Sequence, residues 1–106
     1  MRILLVGAGG VGDAIAKIAA ERDFFEVMVV TDYDQSRAER TVEWIRNKHG
    51  DEVAAKFLVS KIDASSADNV AEVARKYEVT HVLNAVEPKF VPFEIGLPEV
   101  EPEADK

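Results

Sequence analysis

The sequence predicts an α/β fold in which parallel strands form one sheet between two layers of helices. An apolar run of strand length at residues 2–6 leads directly into glycines spaced G-x-G-x-x-G, at Gly7, Gly9 and Gly12. Apolar residues at helical spacing follow these glycines, and the strand-then-helix pattern returns twice more along the chain. Strands that alternate with helices are joined by right-handed crossovers, which make the strands parallel.

The strands are expected at the apolar runs 2–6, 26–31, 56–62 and 80–85. Two right-handed crossovers in one direction and one in the other give the strand order 3-2-1-4. Lysines at both ends of the third run suggest that it lies near a sheet edge. The expected architecture is a doubly wound, Rossmann-like three-layer sandwich with four core strands, shorter than a complete six-stranded domain.

The helices are expected at residues 10–22, 36–48 and 65–77, and residues 51–55 could form one further turn. Ser36 is a candidate cap for the second helix, and Ser65 with Asp68 forms a capping box for the third. The buried stripes predicted from helical spacing are Val11, Ile15, Ile18 and Ala19 in the first helix, Ala38, Thr41, Val42 and Ile45 in the second, and Val70, Val73, Ala74 and Tyr77 in the third.

The amino-acid composition and net charge exclude or disfavour several classes of protein. The 106 residues are enough for one domain with its own core, and 47% of them are hydrophobic. The absence of cysteine excludes a disulfide framework and a thiolate zinc site. A net charge of -7 disfavours nucleic acids and anionic membranes as partners. No apolar run has the length of a signal peptide or a membrane span, so the cytoplasm is the expected compartment.

The glycine cluster has the spacing of a phosphate-binding turn. Gly7 permits a sharp turn, Gly9 leaves room for a pyrophosphate against the backbone, and Gly12 lets the helix lie close to the strand. The helix start offers amide hydrogens and the positive end of its dipole to the phosphates. Asp32, which ends the second strand twenty residues after Gly12, can accept hydrogen bonds from an adenosine ribose.

Four segments together resemble the dinucleotide-binding domain of the saccharopine dehydrogenase family. They are the run from Ile3 to Gly12, Asp32, residues 62–64 and the Asn-Ala-x-x-Pro ending of residues 82–88. The resemblance covers about the first ninety residues. It implies that the coenzyme lies along the carboxyl ends of the strands. The residues implied to bind it are Gly7, Gly9, Gly10 and Val11 at the pyrophosphate, Asp32 at the adenosine ribose, Asp63 and Ala64 at the adenine edge, and Asn84 and Ala85 at the inner ribose.

The implied function is coenzyme binding for hydride transfer to or from an amino-acid-like or imine substrate. In the family a substrate domain follows, which this chain lacks, so we expect coenzyme binding without turnover by the chain alone; no catalytic residue is assigned. NAD is the expected coenzyme because Asp32 repels a ribose 2'-phosphate, although Arg37 and Arg40 leave NADP as the alternative. The alternative function is a non-catalytic nucleotide-sensing domain like those of potassium channels and transporters.

The remaining sequence carries weaker signals. Three prolines and one glycine interrupt residues 87–98, so neither an ordinary helix nor a central strand fits there. We expect a dinucleotide-binding domain at 1–92, and an irregular apolar segment with an acidic, disordered tail at 93–106. Residues 89–97 could fold over the edge of the fourth strand, or two chains could pair there as a homodimer. His49 and His81 are not arranged as a metal site, and none is predicted.

Overall fold

The structure is a computed structural model that describes residues 1–86 and the backbone of residues 89–92. The strands are β1 (Arg2–Val6), β2 (Val27–Asp32), β3 (Phe57–Lys61), β4 (His81–Asn84) and β5 (Lys89–Pro92). The helices are α1 (Gly10–Ala19), α2 (Gln35–His49), the single turn α3 (Asp51–Ala54) and α4 (Ala67–Lys76).

The strands form one sheet in the order β3-β2-β1-β4-β5. The first four are parallel, and Ile3 of β1 lies opposite both Met28 of β2 and His81 of β4. This confirms the predicted order 3-2-1-4 and the position of β3 at an edge. The carboxyl ends of β1, β2 and β4 therefore meet at one end of the sheet, where the winding reverses.

Helices cover both faces of the sheet, as the predicted three-layer sandwich requires. On one face α1 and α2 pack on β1 and β2 through a core that includes Ile3, Leu5, Ala16 and Ile45. On the other face α4 packs through a second core, whose members are Leu4, Val6, Val29, Ile62, Val73, Ala74 and Val79. Central strands whose residues are buried on both faces explain why the strand sequences are continuously apolar.

Helix α1 corrects the prediction of its buried stripe. Val11 and Ile18 are 50% and 59% exposed, and the buried residues of the helix are Gly12, Ala16 and Ala19. Small side chains let a helix backbone approach a sheet closely, so this narrow stripe faces the core and the larger apolar residues lie beside it. By contrast, Ala38, Thr41, Val42 and Ile45 of α2 are all buried, as predicted.

Two helix caps differ from the prediction by one or two residues. Asp34, not Ser36, caps α2 by accepting a hydrogen bond from the Ser36 amide. Ser66, not Ser65, caps α4 by accepting one from the amide of Asn69. The reason is that a carboxylate in each loop holds the expected capping serine: Asp34 binds the Ser36 hydroxyl, and Asp63 binds the Ser65 hydroxyl, each at 2.6 Å.

The edge of β4 is covered by β5, which runs antiparallel to it with Pro92 opposite His81. This strand was not predicted as such, since prolines break the segment, but an edge position tolerates a proline at the strand end. For residues 89–92 this agrees with the expectation that residues 89–97 fold over this edge, and residues 93–97 lie outside the described residues. The expected irregular segment and acidic tail at 93–106 lie outside the described residues.

Candidate functional site

The glycine loop between β1 and α1 is tied down at its first residue. Gly7 adopts a φ of +99°, and its amide donates a hydrogen bond to the Thr31 carbonyl at 2.9 Å. A Cβ at this position would lie 2.8 Å from Cγ2 of Val86. Both the backbone angle and the close neighbour therefore require glycine here.

Gly12 must also be glycine, because neighbouring atoms occupy the space of a side chain. A Cβ on Gly12 would overlap the carbonyl oxygen of Gly7 and lie 3.2 Å from the Cβ of Ala85. The first turn of α1 is thus packed directly onto the loop and onto the end of β4. The predicted role of Gly12 in close helix packing is what the geometry provides.

Gly9 and Gly10 face open space. A Cβ on Gly9 would find its nearest neighbour at 3.9 Å, in Nη1 of Arg37, and one on Gly10 would find nothing within 4 Å. Gly9 is the residue that caps α1, and no side chain accepts a hydrogen bond there. The first amides of a helix have no carbonyl partner within it, so this end presents donors and a positive dipole to whatever occupies the space.

Asp32 braces the loop from the end of β2. Its Oδ2 accepts a hydrogen bond from the Ala8 amide at 2.8 Å, and its Oδ1 accepts one from the Asp34 amide at 2.9 Å. The sequence predicted a ribose acceptor at Asp32 but not this structural role. A carboxylate has about four lone-pair directions, so two backbone bonds leave acceptor capacity for hydroxyl groups.

A cavity with a volume of about 710 Å³ opens beside this loop, between α1 and α2. Its lining includes Gly9, Gly10, Lys17, Arg37, Arg40 and Trp44. Ligands of doubly wound sheets are expected in the crevice where the winding reverses, here between β1 and β4, whereas this cavity lies on the β2 side of the loop. On the β4 side, Ala85 and Val86 close in on Gly12 and Gly7.

A polar cluster that the sequence analysis did not identify joins α1 to α2 at this cavity. Asp13 accepts a hydrogen bond from the buried Thr41 hydroxyl at 2.6 Å and pairs with Nζ of Lys17 at 2.8 Å. Nζ of Lys17 also lies 4.5 Å from the centre of the Trp44 ring. Burial raises the pKa of the Asp13 carboxyl, but the hydrogen bonds from Lys17 and Thr41 and the Lys17 charge together outweigh burial and lower that pKa. In the sequence, this cluster is indicated by the four-residue spacing of Asp13 and Lys17, which places the two side chains on the same face of a helix.

Two arginines of α2 stand at the mouth of the cavity, next to Asp34. Nη1 of Arg40 lies 3.3 Å from the Ser36 hydroxyl, and Arg37 approaches Gly9. The pKa of the Asp34 carboxyl is lowered mainly by hydrogen bonds from Ser36, and also by the charges of Arg40 and Arg37. The positive charge at this corner is thus partly offset by a neighbouring carboxylate.

The other predicted site residues lie at the same end of the sheet. The Ile62 amide donates to the Asp32 carbonyl at 3.0 Å, which sets Asp63 and Ala64 beside the end of β2. Hydrogen bonds from Ser65 lower the pKa of the Asp63 carboxyl. The Ala85 amide donates to the Val6 carbonyl at 2.8 Å, so Asn84 and Ala85 continue the pairing of β4 with β1. The structure brings Ala85 against the glycine loop, where its Cβ would lie 3.2 Å from a Cβ on Gly12.

The described part of the chain shows neither a cluster for a metal ion nor a membrane-spanning helix. No group of three or more histidine, aspartate or glutamate side chains there could hold a metal ion. None of the helices in the described ranges is both long and apolar enough to cross a bilayer.

Three solved structures that are similar to this chain are a reductase and two dehydrogenases. Menthone neomenthol reductase from Mentha piperita matches with a TM-score of 0.66 at 17% identity, over 78% of this chain and 30% of its own. Sorbitol-6-phosphate 2-dehydrogenase from Erwinia amylovora matches with a TM-score of 0.59 at 20% identity, over 76% and 31%. Quinate dehydrogenase from Corynebacterium glutamicum, solved in complex with NAD, matches with a TM-score of 0.55 at 30% identity, over 79% and 26%.

The chain thus spans less than a third of the length of each of these three structures. No curated protein matches it. The sequence model of one domain family, the saccharopine dehydrogenase NADP-binding domain, matches residues 3–91. Since that range covers most of the 106 residues and includes the whole glycine loop, the chain belongs to the saccharopine dehydrogenase NADP-binding domain family.

Proposed function

We propose that this domain binds NAD at the glycine loop and serves as the coenzyme-binding part of an oxidoreductase. The observation that carries the proposal is the contrast within the loop. Gly7 and Gly12 are enclosed by protein atoms, while the positions of Gly9 and Gly10 are open at a helix start that has no side-chain cap. Such a start binds a pyrophosphate through backbone amides, without requiring a lysine. Family membership and the dehydrogenase fold support a nicotinamide dinucleotide as the ligand.

The proposed assignment of residues follows the carboxyl ends of the strands. Gly7, Gly9, Gly10 and Val11 surround the pyrophosphate, and Asp32 accepts hydrogen bonds from the adenosine ribose. In the same proposal Asp63 and Ala64 border the adenine. Asn84 and Ala85 flank the inner ribose next to Gly12, which is consistent with the 3.2 Å approach recorded there.

NAD is preferred over NADP in this proposal for an electrostatic reason. A 2'-phosphate near the end of β2 would meet the carboxylates of Asp32 and Asp34, both held there by backbone amides. Arg37 and Arg40 lower this barrier, because they lie close enough to Asp34 to lower its pKa. We expect their attraction for a 2'-phosphate to be weaker than the repulsion by Asp32, since Asp34 partly offsets their charge.

Hydride transfer is the chemistry that a bound nicotinamide supplies. We propose an amino-acid-like or imine substrate, held largely by residues outside these 106.

Calorimetric titration of the chain with NAD and NADP tests coenzyme binding. Gly9→Trp fills the open space, and we expect it to raise the Kd for NAD by about 100-fold or more. Ala14→Trp is the matched control, because it adds the same bulk to an exposed position of α1 outside the cavity. Binding that Gly9→Trp leaves unchanged would contradict the proposed site.

The same titration tests the coenzyme preference. Asp32→Ala should reduce the ratio of NAD to NADP affinity by about ten-fold or more, since it removes the acceptor of the ribose hydroxyls and the repelling charge. Arg37→Gln should shift the ratio the other way. A preference for NADP in the wild-type chain would refute the assignment of NAD while leaving the dinucleotide site intact.

A further inference from the structure

An exposed tyrosine follows the carboxylate to which we assign the adenosine ribose. Tyr33 comes directly after Asp32 at the carboxyl end of β2, and it is 68% exposed. Asp32 accepts a hydrogen bond from the amide of Asp34 at 2.9 Å, so the three residues form a tight turn with Tyr33 at its centre. The carboxylate proposed to bind the ribose therefore also fixes the backbone of the tyrosine beside it.

The ring of Tyr33 lies towards β3. Nζ of Lys61 is 5.2 Å from the centre of the ring, within the range of a cation–π contact. Lys61 ends β3, and it is the register partner of Asp32 in the pairing of β3 with β2. Asp63 and Ala64, which we propose to border the adenine, follow Lys61 closely in the chain. The ring, the ammonium group and the proposed adenine border thus belong to the same corner of the sheet.

The covalent structure of a nucleoside places the base at this corner. In adenosine the base is attached to the ribose carbon next to the one that carries the 2'-hydroxyl. A ribose whose hydroxyls bind Asp32 therefore holds its base close to Tyr33. Aromatic side chains bind bases by stacking on their flat faces. Isolated exposed aromatic residues are common, and the position beside the ribose acceptor is what distinguishes Tyr33 from them.

The charge of Lys61 distinguishes the two ends of the dinucleotide. NAD carries two nucleosides on one pyrophosphate, so the glycine loop alone does not decide which of them lies beside β2. The nicotinamide ring of the oxidised coenzyme is positively charged, whereas adenine is neutral. An ammonium group beside the tyrosine ring repels the first and not the second. Because Lys61 is exposed, salt weakens this repulsion.

We propose that Tyr33 stacks on the adenine of the coenzyme and that Lys61 keeps the nicotinamide cation away from that ring. Together the two side chains set the orientation of NAD on the glycine loop. This role rests on the proposed function, since it requires a dinucleotide at that loop. The nicotinamide end is then directed across the sheet, towards the end of β4.

Titration with the two ends of the coenzyme tests the stacking. ADP contains the adenine end with a pyrophosphate, and nicotinamide mononucleotide contains the other end. Tyr33→Ala should raise the Kd for ADP and for NAD by about five-fold or more, because it removes the stacking surface. Tyr33→Phe keeps the ring and should leave both values within about two-fold of wild type. The Kd for nicotinamide mononucleotide should be the same in both variants as in the wild-type chain.

Phe24→Ala is the matched control for Tyr33→Ala. Phe24 is also an exposed aromatic residue, at 53%, but it precedes β2 and therefore lies at the other end of that strand from Asp32. Loss of its ring should change the Kd for ADP by less than about two-fold.

Nuclear Overhauser effects in the complex with NAD report the orientation. The chain has two tyrosines, so the ring signals of Tyr33 are those that disappear in Tyr33→Phe. In the wild-type chain we expect stronger effects at this ring from adenine protons than from nicotinamide protons. Lys61→Met should lower the ratio of the two by about two-fold or more at low ionic strength. Lys76→Met, which removes an ammonium group 5.2 Å from the centre of the Tyr77 ring, should leave the ratio unchanged.

Three outcomes overturn these roles. NAD binding that Tyr33→Ala leaves unchanged, or effects at the Tyr33 ring that come mainly from nicotinamide protons, would exclude stacking on adenine. A ratio that Lys61→Met leaves unchanged would exclude the role of the ammonium group. None of these results touches the proposed function, which fails if the wild-type chain does not bind NAD, and the roles of both side chains would then fail with it.

Discussion

At the scale of single residues, the four glycines of the loop fall into two pairs with different physical roles. Gly7 and Gly12 are glycines because protein atoms occupy the space of a side chain. Gly9 and Gly10 border open space, and in the proposed function this space is left for the coenzyme. Substitutions can therefore separate the folding requirement from the proposed binding requirement.

Gly12→Ala should destabilise the domain without coenzyme. Its Cβ would overlap the Gly7 carbonyl, and forcing such an overlap costs about 1–3 kcal/mol or more. Gly10→Ala is the matched control, since its Cβ would meet nothing within 4 Å and a first-turn alanine is favourable in a helix. Urea unfolding measures both, and equal stability of the two variants would contradict this division of roles.

Asp32 also has a folding role that can be tested apart from ribose binding. Asp32→Ala leaves the Ala8 and Asp34 amides without their acceptor, so we expect a loss of about 1–2 kcal/mol in the free energy of unfolding without coenzyme. Asp23→Ala, in the exposed loop before β2, should change it by less than about 0.5 kcal/mol. If Asp32→Ala proves as stable as the control, the brace contributes nothing to the fold.

At the scale of elements, each loop that follows β2 or β3 is ordered by a carboxylate that receives hydrogen bonds from a serine. Asp34 receives them from Ser36 before α2, and Asp63 receives them from Ser65 before α4. These bonds favour the ionised form and lower the pKa of each carboxyl. A lowered folded-state pKa stabilises the fold above the ordinary value of about 3.9, and this contribution is lost as pH falls through the folded-state pKa.

Asp34→Asn keeps a side chain that can cap α2 and removes the negative charge of Asp34. Asparagine caps helices as well as aspartate does, so stability at neutral pH should change little, while the loss of stability on acidification from about pH 5 to about pH 3 should become smaller. Asp23→Asn removes an equal charge from an exposed loop and should keep the wild-type acid response. Urea unfolding at a series of pH values provides the measurement, and an unaltered acid slope in Asp34→Asn would count against the role of this carboxyl.

At the scale of the whole molecule, the parallel sheet supports the loop at which we propose that the coenzyme binds. The glycine loop follows the carboxyl end of β1, and the α1–α2 cavity opens beside it. The sheet is buried on both faces in β1 and β2, which gives a rigid support for the loop. Binding at the loop therefore need not change the rest of the fold.

Hydrogen exchange with and without NAD measures whether protection is confined to the glycine loop. We expect NAD to slow amide exchange at residues 10–12, whose amides lack helical partners, by about ten-fold or more at saturation. The corresponding first turn of α4, which Ser66 caps, should exchange at the same rate in both states. Uniform slowing across both helices would indicate global stabilisation instead of protection at the loop.

The sequence by itself determined the order of the strands, the position of the glycine loop and the buried stripe of α2. The loop and the stripe depend on glycine spacing and local periodicity, which act within a few residues of the chain, and the strand order follows from the handedness of the crossovers between these elements. Only the tertiary structure decided which stripe of α1 is buried, that Asp34 and Ser66 are the caps, that Asp32 braces the loop, and that Lys17 and Trp44 meet beside the cavity. The physical reason is that these outcomes depend on how closely separate elements approach one another, and that distance is set by packing between residues far apart in sequence.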